Sequence, residues 1–148
     1  MIAYNFMALY CDGHFHSSYS SFINKPKLKY VSKCVLKKFI NCNHDYDFSF
    51  PGTDIYNLRD NQDVNLLYLK TRLCSSGDFR VYFLVTKNTN DLYLSRLHPK
   101  ENKGGFSNYT KEAIKSNLAE LKFDIKNKKG IYKITTCSKN KKLIFTEQ

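Results

Sequence analysis

Tryptophan is absent from this 148-residue chain, acidic residues number only 13, and no two of the five cysteines form a CxxC pair. Each shortage removes a class of explanation. Without Trp, the aromatic content rests on eleven Tyr and eleven Phe, rings that pack ordinary cores as readily as they stack on ligands. Cys11, Cys34, Cys42, Cys74 and Cys137 are odd in number and widely spaced, and "MIAYNFMALY" runs into "CDGHFH" too soon to span a membrane or direct export. That pattern predicts reduced, mostly buried thiols in a soluble cytoplasmic protein, with no membrane partner. Cys11, His14 and His16 are metal-ligand types, yet Cys34, Cys42 and His44 do not complete them at the spacing of a structural zinc site. "KGG" lacks the rest of a phosphate loop, and the paired carboxylates of a metal-dependent nuclease are not recognisable. No metal and no cofactor is therefore expected.

Positive charge is what the chain has in excess: 24 Lys and Arg give a formal +11. Such a surplus concentrates polyanions around a protein, so nucleic acid, an acidic protein and an anionic membrane surface all fit it. The length suits one domain over residues 1–148, with an extended first third and a basic finish, and no internal repeat divides it.

The first ten residues read either as a strand or as the start of a short helix, because Ile2, Tyr4 and Phe6 alternate while Met7 and Leu9 shift the register. From Lys27, apolar Leu28, Val31, Val35, Phe39 and Cys42 recur at three- and four-residue steps among lysines, which predicts an amphipathic helix starting at Pro26 and capped by Asn24. Residues 41–65 are turn-prone, with loops expected at Asn43–Asp47 and Asn57–Asp63 and short extended pieces at "DFSF" and "DIYNL". Strands are then predicted over Leu66–Leu73, Phe79–Thr86 and Asp91–Leu97 or His98, joined by breaks too short for a crossover helix. "PKENKGGFSN" interrupts regular structure. A second helix carries Ala113, Ile114, Asn117, Leu118 and Leu121, capped by Ser107 or Asn108. A basic turn at Lys126–Gly130, a strand at Ile131–Thr136 and a short piece at Leu143–Phe145 complete the chain.

Side chains two apart share a strand face, so Phe79, Val81, Phe83 and Val85 point to the core and Arg80, Tyr82 and Leu84 to the other side. Symmetric hairpins set Arg72 and His98 opposite Arg80, Lys70 and Arg96 opposite Tyr82, and Leu94 opposite Leu84. Clustered cations repel one another unless an anion or carboxylates fill the space, so this end of the sheet is expected to hold phosphate. The same residues also suit an ordinary wet face, their stems covering apolar neighbours.

Guanidinium groups beside an imidazole can carry out internal phosphoryl transfer on RNA: the 2′-hydroxyl attacks the adjacent phosphate while a base and an acid move the protons. Arg80, with Arg72 beside it, matches phosphate oxygens through its planar fork. His98, at a strand end open to solvent, is the candidate general acid and a further candidate base. Tyr109, Lys100 and Lys103 are reserve catalytic or RNA-contacting residues; Lys70, Tyr82 and Arg96 are candidate RNA-binding residues, with Tyr82 suited to stacking a base. Asp78, in the tight turn, is not promoted to base.

The run "LLYLKTRLCSSGDFRVYFLVTKNTNDLYLSRLHPK", Leu66–Lys100, resembles the core of RelE-like toxins of bacterial toxin–antitoxin pairs. The likeness lies in a strand ending in basic Lys70 and Arg72, a small turn with Gly77, the "FRV" of Phe79–Arg80–Val81, and a hydrophobic strand leading to His98 and Lys100. The resemblance implies an α+β fold, a small antiparallel-rich twisted sheet packed against helices. It further implies a cytoplasmic, metal-independent endoribonuclease that cleaves messenger RNA, often in the ribosomal acceptor site, and is neutralised by an acidic cognate antitoxin. "HPKENKGG" replaces the family's more familiar run of paired lysines after the last strand. An RNA-binding module without cleavage, or an inhibitory or structural protein-binding domain, would use the same basic face.

Overall fold

The computed structural model describes residues 2–4, 8–40, 44–46, 53–56, 66–74, 77–86, 88–89, 91–100, 109–137 and 142–148. In chain order they form β1 (Ile2–Tyr4), β2 (Ala8–Cys11), α1 (Gly13–Ile23) and α2 (Val31–Val35), which runs on as a π-helical turn over Leu36–Ile40. There follow β3 (His44–Tyr46), β4 (Thr53–Tyr56), β5 (Leu66–Leu73), β6 (Phe79–Thr86), β7 (Asp91–Pro99), α3 (Lys111–Asn127), β8 (Tyr132–Thr136) and β9 (Leu143–Glu147). The fold is α+β. One sheet has the order β4-β5-β6-β7-β2-β8-β9, and β1 pairs with β3 in a small second sheet. Among the described strands every neighbouring pair is antiparallel except β2 and β7, so the sheet is mixed.

Strand β6 lies inside the sheet and is covered on both sides, which is why its sequence is almost wholly apolar. Val81, Phe83 and Val85 meet Phe15 of α1 and Val31 and Val35 of α2 on one face. Tyr82 and Leu84 meet Leu118 and Leu121 of α3 on the other. The alternation read from the sequence thus selects two cores rather than one core and one wet face. Arg80, one step nearer the strand end than Tyr82, remains half-buried.

The amphipathic pattern from Lys27 folds differently from the single helix expected. Asn24 ends α1 as its C-cap, residues 25–30 form tight turns, and α2 begins only at Val31. Bonds such as Leu28 N–H to Lys25 carbonyl at 2.9 Å and Val31 N–H to Leu28 carbonyl at 3.1 Å carry the chain past Pro26, which has no N–H to offer. Leu28, Val31, Val35 and Phe39 nevertheless keep the core side. Helix α1 itself was hidden by its serines. Its Asp12 cap accepts from Phe15 N–H at 2.9 Å, and Phe15 and Tyr19, four apart, are its buried pair.

Further corrections concern ends and loops. Thr110, accepting from Ala113 N–H at 3.1 Å, caps α3 in place of Ser107 or Asn108, which lie outside the described residues. Helix α3 takes up the first two residues of the expected Lys126–Gly130 turn, ending at Asn127, and the turn itself follows where Lys128 adopts a left-handed φ of 52°. Strand β3 occupies part of the expected Asn43–Asp47 loop, and β4 takes up the first residues of "DIYNL". "DFSF" and the Asn57–Asp63 loop lie outside the described residues.

The cysteine expectation is overturned for two residues. Cys34 on α2 and Cys74 at the end of β5 are bonded to each other, with Cα atoms 5.0 Å apart, across a sequence separation of 40. Leu28, Val31 and Val35 place α2 against the sheet, and that packing brings the two sulfurs together although nothing in their spacing foretells it. Cys11 is a buried free thiol and Cys137 is half-buried; Cys42 lies outside the described residues.

Candidate anion-binding site

Three strands and one glycine turn build the end of the sheet that carries the arginines. Arg72 of β5 stands opposite Arg80 of β6, and Arg80 stands opposite His98 of β7; one step along, Lys70 faces Tyr82 and Tyr82 faces Arg96. This row is the one expected from parity and hairpin symmetry. Leu94 is the exception: it faces Phe83, and Leu84 faces Tyr93, because the register shifts after Tyr82 and leaves Ser95 as an extra residue. That bulge lets Leu92, Leu94 and Leu97 all reach the same core, which strict alternation forbids.

The turn after β5 sets the guanidinium groups. Gly77 adopts φ +69°, and a Cβ there would lie 3.3 Å from Arg72 Cδ and 3.8 Å from an Arg80 terminal nitrogen. That nitrogen, Nη1, donates to the Gly77 carbonyl at 2.6 Å and to the Phe79 carbonyl at 3.3 Å. Arg72 is exposed, and among the described residues neither arginine makes an ion pair. Two neighbouring cations with spare donors form a fork for a phosphate. Gly77→Ala is expected to destabilise the chain by about 1–2 kcal/mol from the left-handed backbone and to weaken anion binding by displacing Arg72. Urea unfolding together with salt-titrated RNA binding checks both effects.

His98 is not at an open strand end: it is 4% exposed. Its Nδ1 lies 2.8 Å from the Pro99 carbonyl, which can only accept, so Nδ1 carries the proton. Nε2 then presents its lone pair to the Tyr82 hydroxyl at 3.3 Å, and that oxygen accepts from Tyr109 N–H at 3.4 Å. The rings of Tyr82, His98 and Tyr109 pack together, with centroids 5.0 to 5.6 Å apart. Burial lowers the His98 pKa, the Pro99 bond opposes that, and the Arg80 charge lowers it further. The resting imidazole is thus neutral, the form of a proton acceptor rather than of the expected acid.

The sign for stability follows from that depression. As pH falls below about 6.5 the unfolded imidazole takes up a proton that the folded one refuses, so stability is complete above that pH and is lost as pH falls toward the folded pKa. The fall in stability of the parent between about pH 7.5 and pH 5.5 is expected to be smaller in His98→Gln. Urea midpoints at the two pH values test it, and equal falls in both proteins would remove His98 as the source.

Tyr82 and Arg96 are interior rather than RNA-facing. Tyr82 is 1% exposed beneath α3, and Arg96, 9% exposed, donates through Nη2 to Asn117 Oδ1 at 3.0 Å and Glu120 Oε2 at 3.2 Å. Arg96 therefore ties α3 to the sheet. Lys70 and Tyr109 are half-buried, and Lys100 extends the β6–β7 pairing by donating its backbone N–H to Asp78 carbonyl at 2.8 Å. Lys103 lies outside the described residues. Asp78 Oδ2 accepts from Tyr30 hydroxyl at 2.8 Å. That bond ties the turn before β6 to the residue that precedes α2.

A buried polar pair escaped the sequence reading. Asp12 accepts from Ser95 hydroxyl at 2.9 Å while capping α1, and burial raises its pKa against these bonds. The one signal in the sequence was the parity conflict of Leu92 and Leu94 with Leu97, which fixes neither the place of the bulge nor Asp12 as its partner. The residues weighed as metal ligands diverge: Cys11 is buried on β2, exposed His14 bonds Glu120 at 2.8 Å, and His16 stacks on Tyr132 at 4.4 Å. No helix among the described residues is long and apolar enough to cross a membrane. No known protein family, curated protein or solved structure matches this chain.

Proposed function

We propose that the chain is a RelE-like, metal-independent endoribonuclease that cleaves messenger RNA. The observation that carries this is the single row of Arg72, Arg80 and His98 across β5, β6 and β7, with neither arginine ion-paired among the described residues. The two guanidinium groups hold the non-bridging oxygens and stabilise the charge that grows on phosphorus-bound oxygen. The 2′-hydroxyl attacks the adjacent phosphate, and its proton passes to His98 Nε2 as the Tyr82 hydroxyl gives way. Tyr109, whose pKa is raised by burial and which therefore keeps its proton at neutral pH, protonates the leaving 5′-oxygen. Messenger RNA, the ribosome and an acidic antitoxin are the partners in this reading.

The order β2, α1, α2 and then β5, β6 and β7, with β7 beside β2, supports the family reading, although β3 and β4 intervene between α2 and β5. The Cys34–Cys74 bond weighs against the cytoplasmic location that goes with it, because cytosolic reductants keep thiols reduced.

Burial of His98 under Tyr109 favours a second reading, an RNA-binding module that does not cleave. Inducible expression with mapping of new RNA 5′ ends separates the two, comparing parent, Arg80→Ala and His98→Gln at equal soluble levels. Frame-linked cuts lost in both variants support a ribosome-associated toxin; frame-independent cuts support a free ribonuclease. Salt-sensitive RNA binding with no new ends establishes the binding module instead.

A further inference from the structure

Strands β4 and β9 are the edges of the large sheet, and they are unlike. Strand β4 breaks step between Asp54 and Tyr56, the kind of irregularity that blunts an edge against further pairing. Strand β9 runs against β8 without a shift, and its stretch Leu143–Thr146 holds no charge, proline or glycine. Ladder parity tells which of its backbone groups face the open side. Cys137 N–H donates to the Lys142 carbonyl at 3.1 Å and Gln148 N–H to the Ile131 carbonyl at 2.9 Å. The bonded pairs of the ladder therefore fall on Lys142, Ile144, Thr146 and Gln148, and the N–H and carbonyl groups of Leu143, Phe145 and Glu147 point away from β8. Among the described residues no backbone group meets them. Apolar side chains flank this edge on both faces: Ile144 is 43% exposed on one, and Leu143 and Phe145 line an open groove with Ile23 of α1, itself 38% exposed, on the other.

We infer that β9 pairs antiparallel with β9 of a second copy of this chain, about a two-fold axis through Phe145. Reversed end to end, a copy presents the same residues in step: Phe145 faces its own counterpart and Leu143 faces Glu147, so every outward N–H and carbonyl of the three finds a partner. Charge agrees with the reversal. Exposed Lys142 stands before β9 and exposed Glu147 ends it, so the positive end of one strand lies beside the negative end of the other. A strand of uniform charge would suit one end and oppose the other. The same pairing brings Leu143 and Phe145 of each copy to the other's groove and covers apolar surface that Ile23 leaves open. Strands β2 and β8 separate β9 from β7, so the contact leaves the arginine row untouched and stands whether or not the chain cleaves RNA. Each copy carries a formal +11, so the copies repel at a distance and salt should tighten the pair.

Sedimentation velocity of the full chain from roughly 1 to 200 µM is expected to show monomer passing into dimer, with the dissociation constant falling as salt rises from about 0.05 to 0.5 M. Glu147→Pro removes an outward N–H at an exposed position and no bond to β8, and should raise that constant about tenfold. Ile144→Lys, a charge on an exposed side chain of the edge, should raise it as well, and Arg80→Ala should leave it unchanged. Circular dichroism confirms that each variant is folded. Amide hydrogen exchange reads the parity directly: Leu143, Phe145 and Glu147 should gain about tenfold protection or more as the protein is concentrated, whereas Ile144 and Thr146 are protected throughout. A monomer at every concentration, a dimer indifferent to both edge variants, or protection gained without regard to parity overturns the proposal. So does association that weakens as salt rises, the mark of a bridging polyanion. A dimer that survives denaturing, non-reducing electrophoresis is linked by a disulfide and overturns it too.

Discussion

Breaking the Cys34–Cys74 bond, by a dithiol reductant or by Cys34→Ser/Cys74→Ser, is expected to destabilise the chain by about 4 kcal/mol. The bond spans a sequence separation of 40, and a cross-link of that length removes closure entropy in proportion to the logarithm of the loop it closes. A loss of that size in a domain of this length lowers the melting temperature by roughly 10 °C. The local consequence is as informative as the global one. Cys74 has a left-handed φ of 70°, unfavourable for a residue with a side chain, and its carbonyl accepts from Gly77 N–H at 3.0 Å. Gly77 in turn receives the Arg80 guanidinium. Release of Cys74 should therefore loosen the turn that holds both arginines, so anion affinity falls together with stability. Urea unfolding with and without reductant measures the first effect, and RNA binding of the folded serine variant the second. Identical urea midpoints for oxidised and reduced protein would show that the bond contributes nothing.

On the proposed ribonuclease reading, Arg80→Ala is expected to slow RNA cleavage by about 10²–10³-fold, the usual loss when one donor to a developing oxyanion is removed. Folding should suffer little: the side chain is half-buried, and its hydrogen bonds among the described residues go to the Gly77 and Phe79 carbonyls, a loss on the order of 1 kcal/mol. Phe79 and Val81 on either side remain wholly buried and keep β6 in register. Arg80→Lys retains the charge without the planar fork and should fall between parent and alanine. Initial rates on the RNA that the parent cuts, with soluble and folded protein matched, decide the matter. A folded Arg80→Ala protein that cuts at the parental rate would take Arg80 out of the reaction.

Parts of this site were legible in one dimension. The boundaries of β5 and β6 coincide with their apolar runs, and short breaks around Ser76 and Thr89 leave little choice of hairpin, so Arg72, Arg80 and His98 fall in one row. Other parts were not. Whether His98 meets solvent depends on Tyr109, which enters from the segment before α3, and whether Tyr82 and Arg96 are free depends on α3 itself. The expected helix at Lys27 failed for a related reason: Leu28, Val31, Val35 and Phe39 take the core side as expected, but the path between them was set by Pro26 and by packing on the sheet.

By itself, the sequence determined what local forces govern: the alternation that sorts Val81 from Arg80, the turn-limited register of neighbouring strands, and the glycine needed where the backbone turns left-handed at residue 77. The tertiary structure alone decided which distant segments cover each face. It set β2 between β7 and β8, brought Cys34 to Cys74, placed Ser95 as a bulge against Asp12, and laid α3 over Tyr82. The difference is physical. A hairpin is closed by residues a few positions apart, whereas the cover of a sheet face is chosen by the apolar area that whole elements remove from water, and no window of sequence contains both partners.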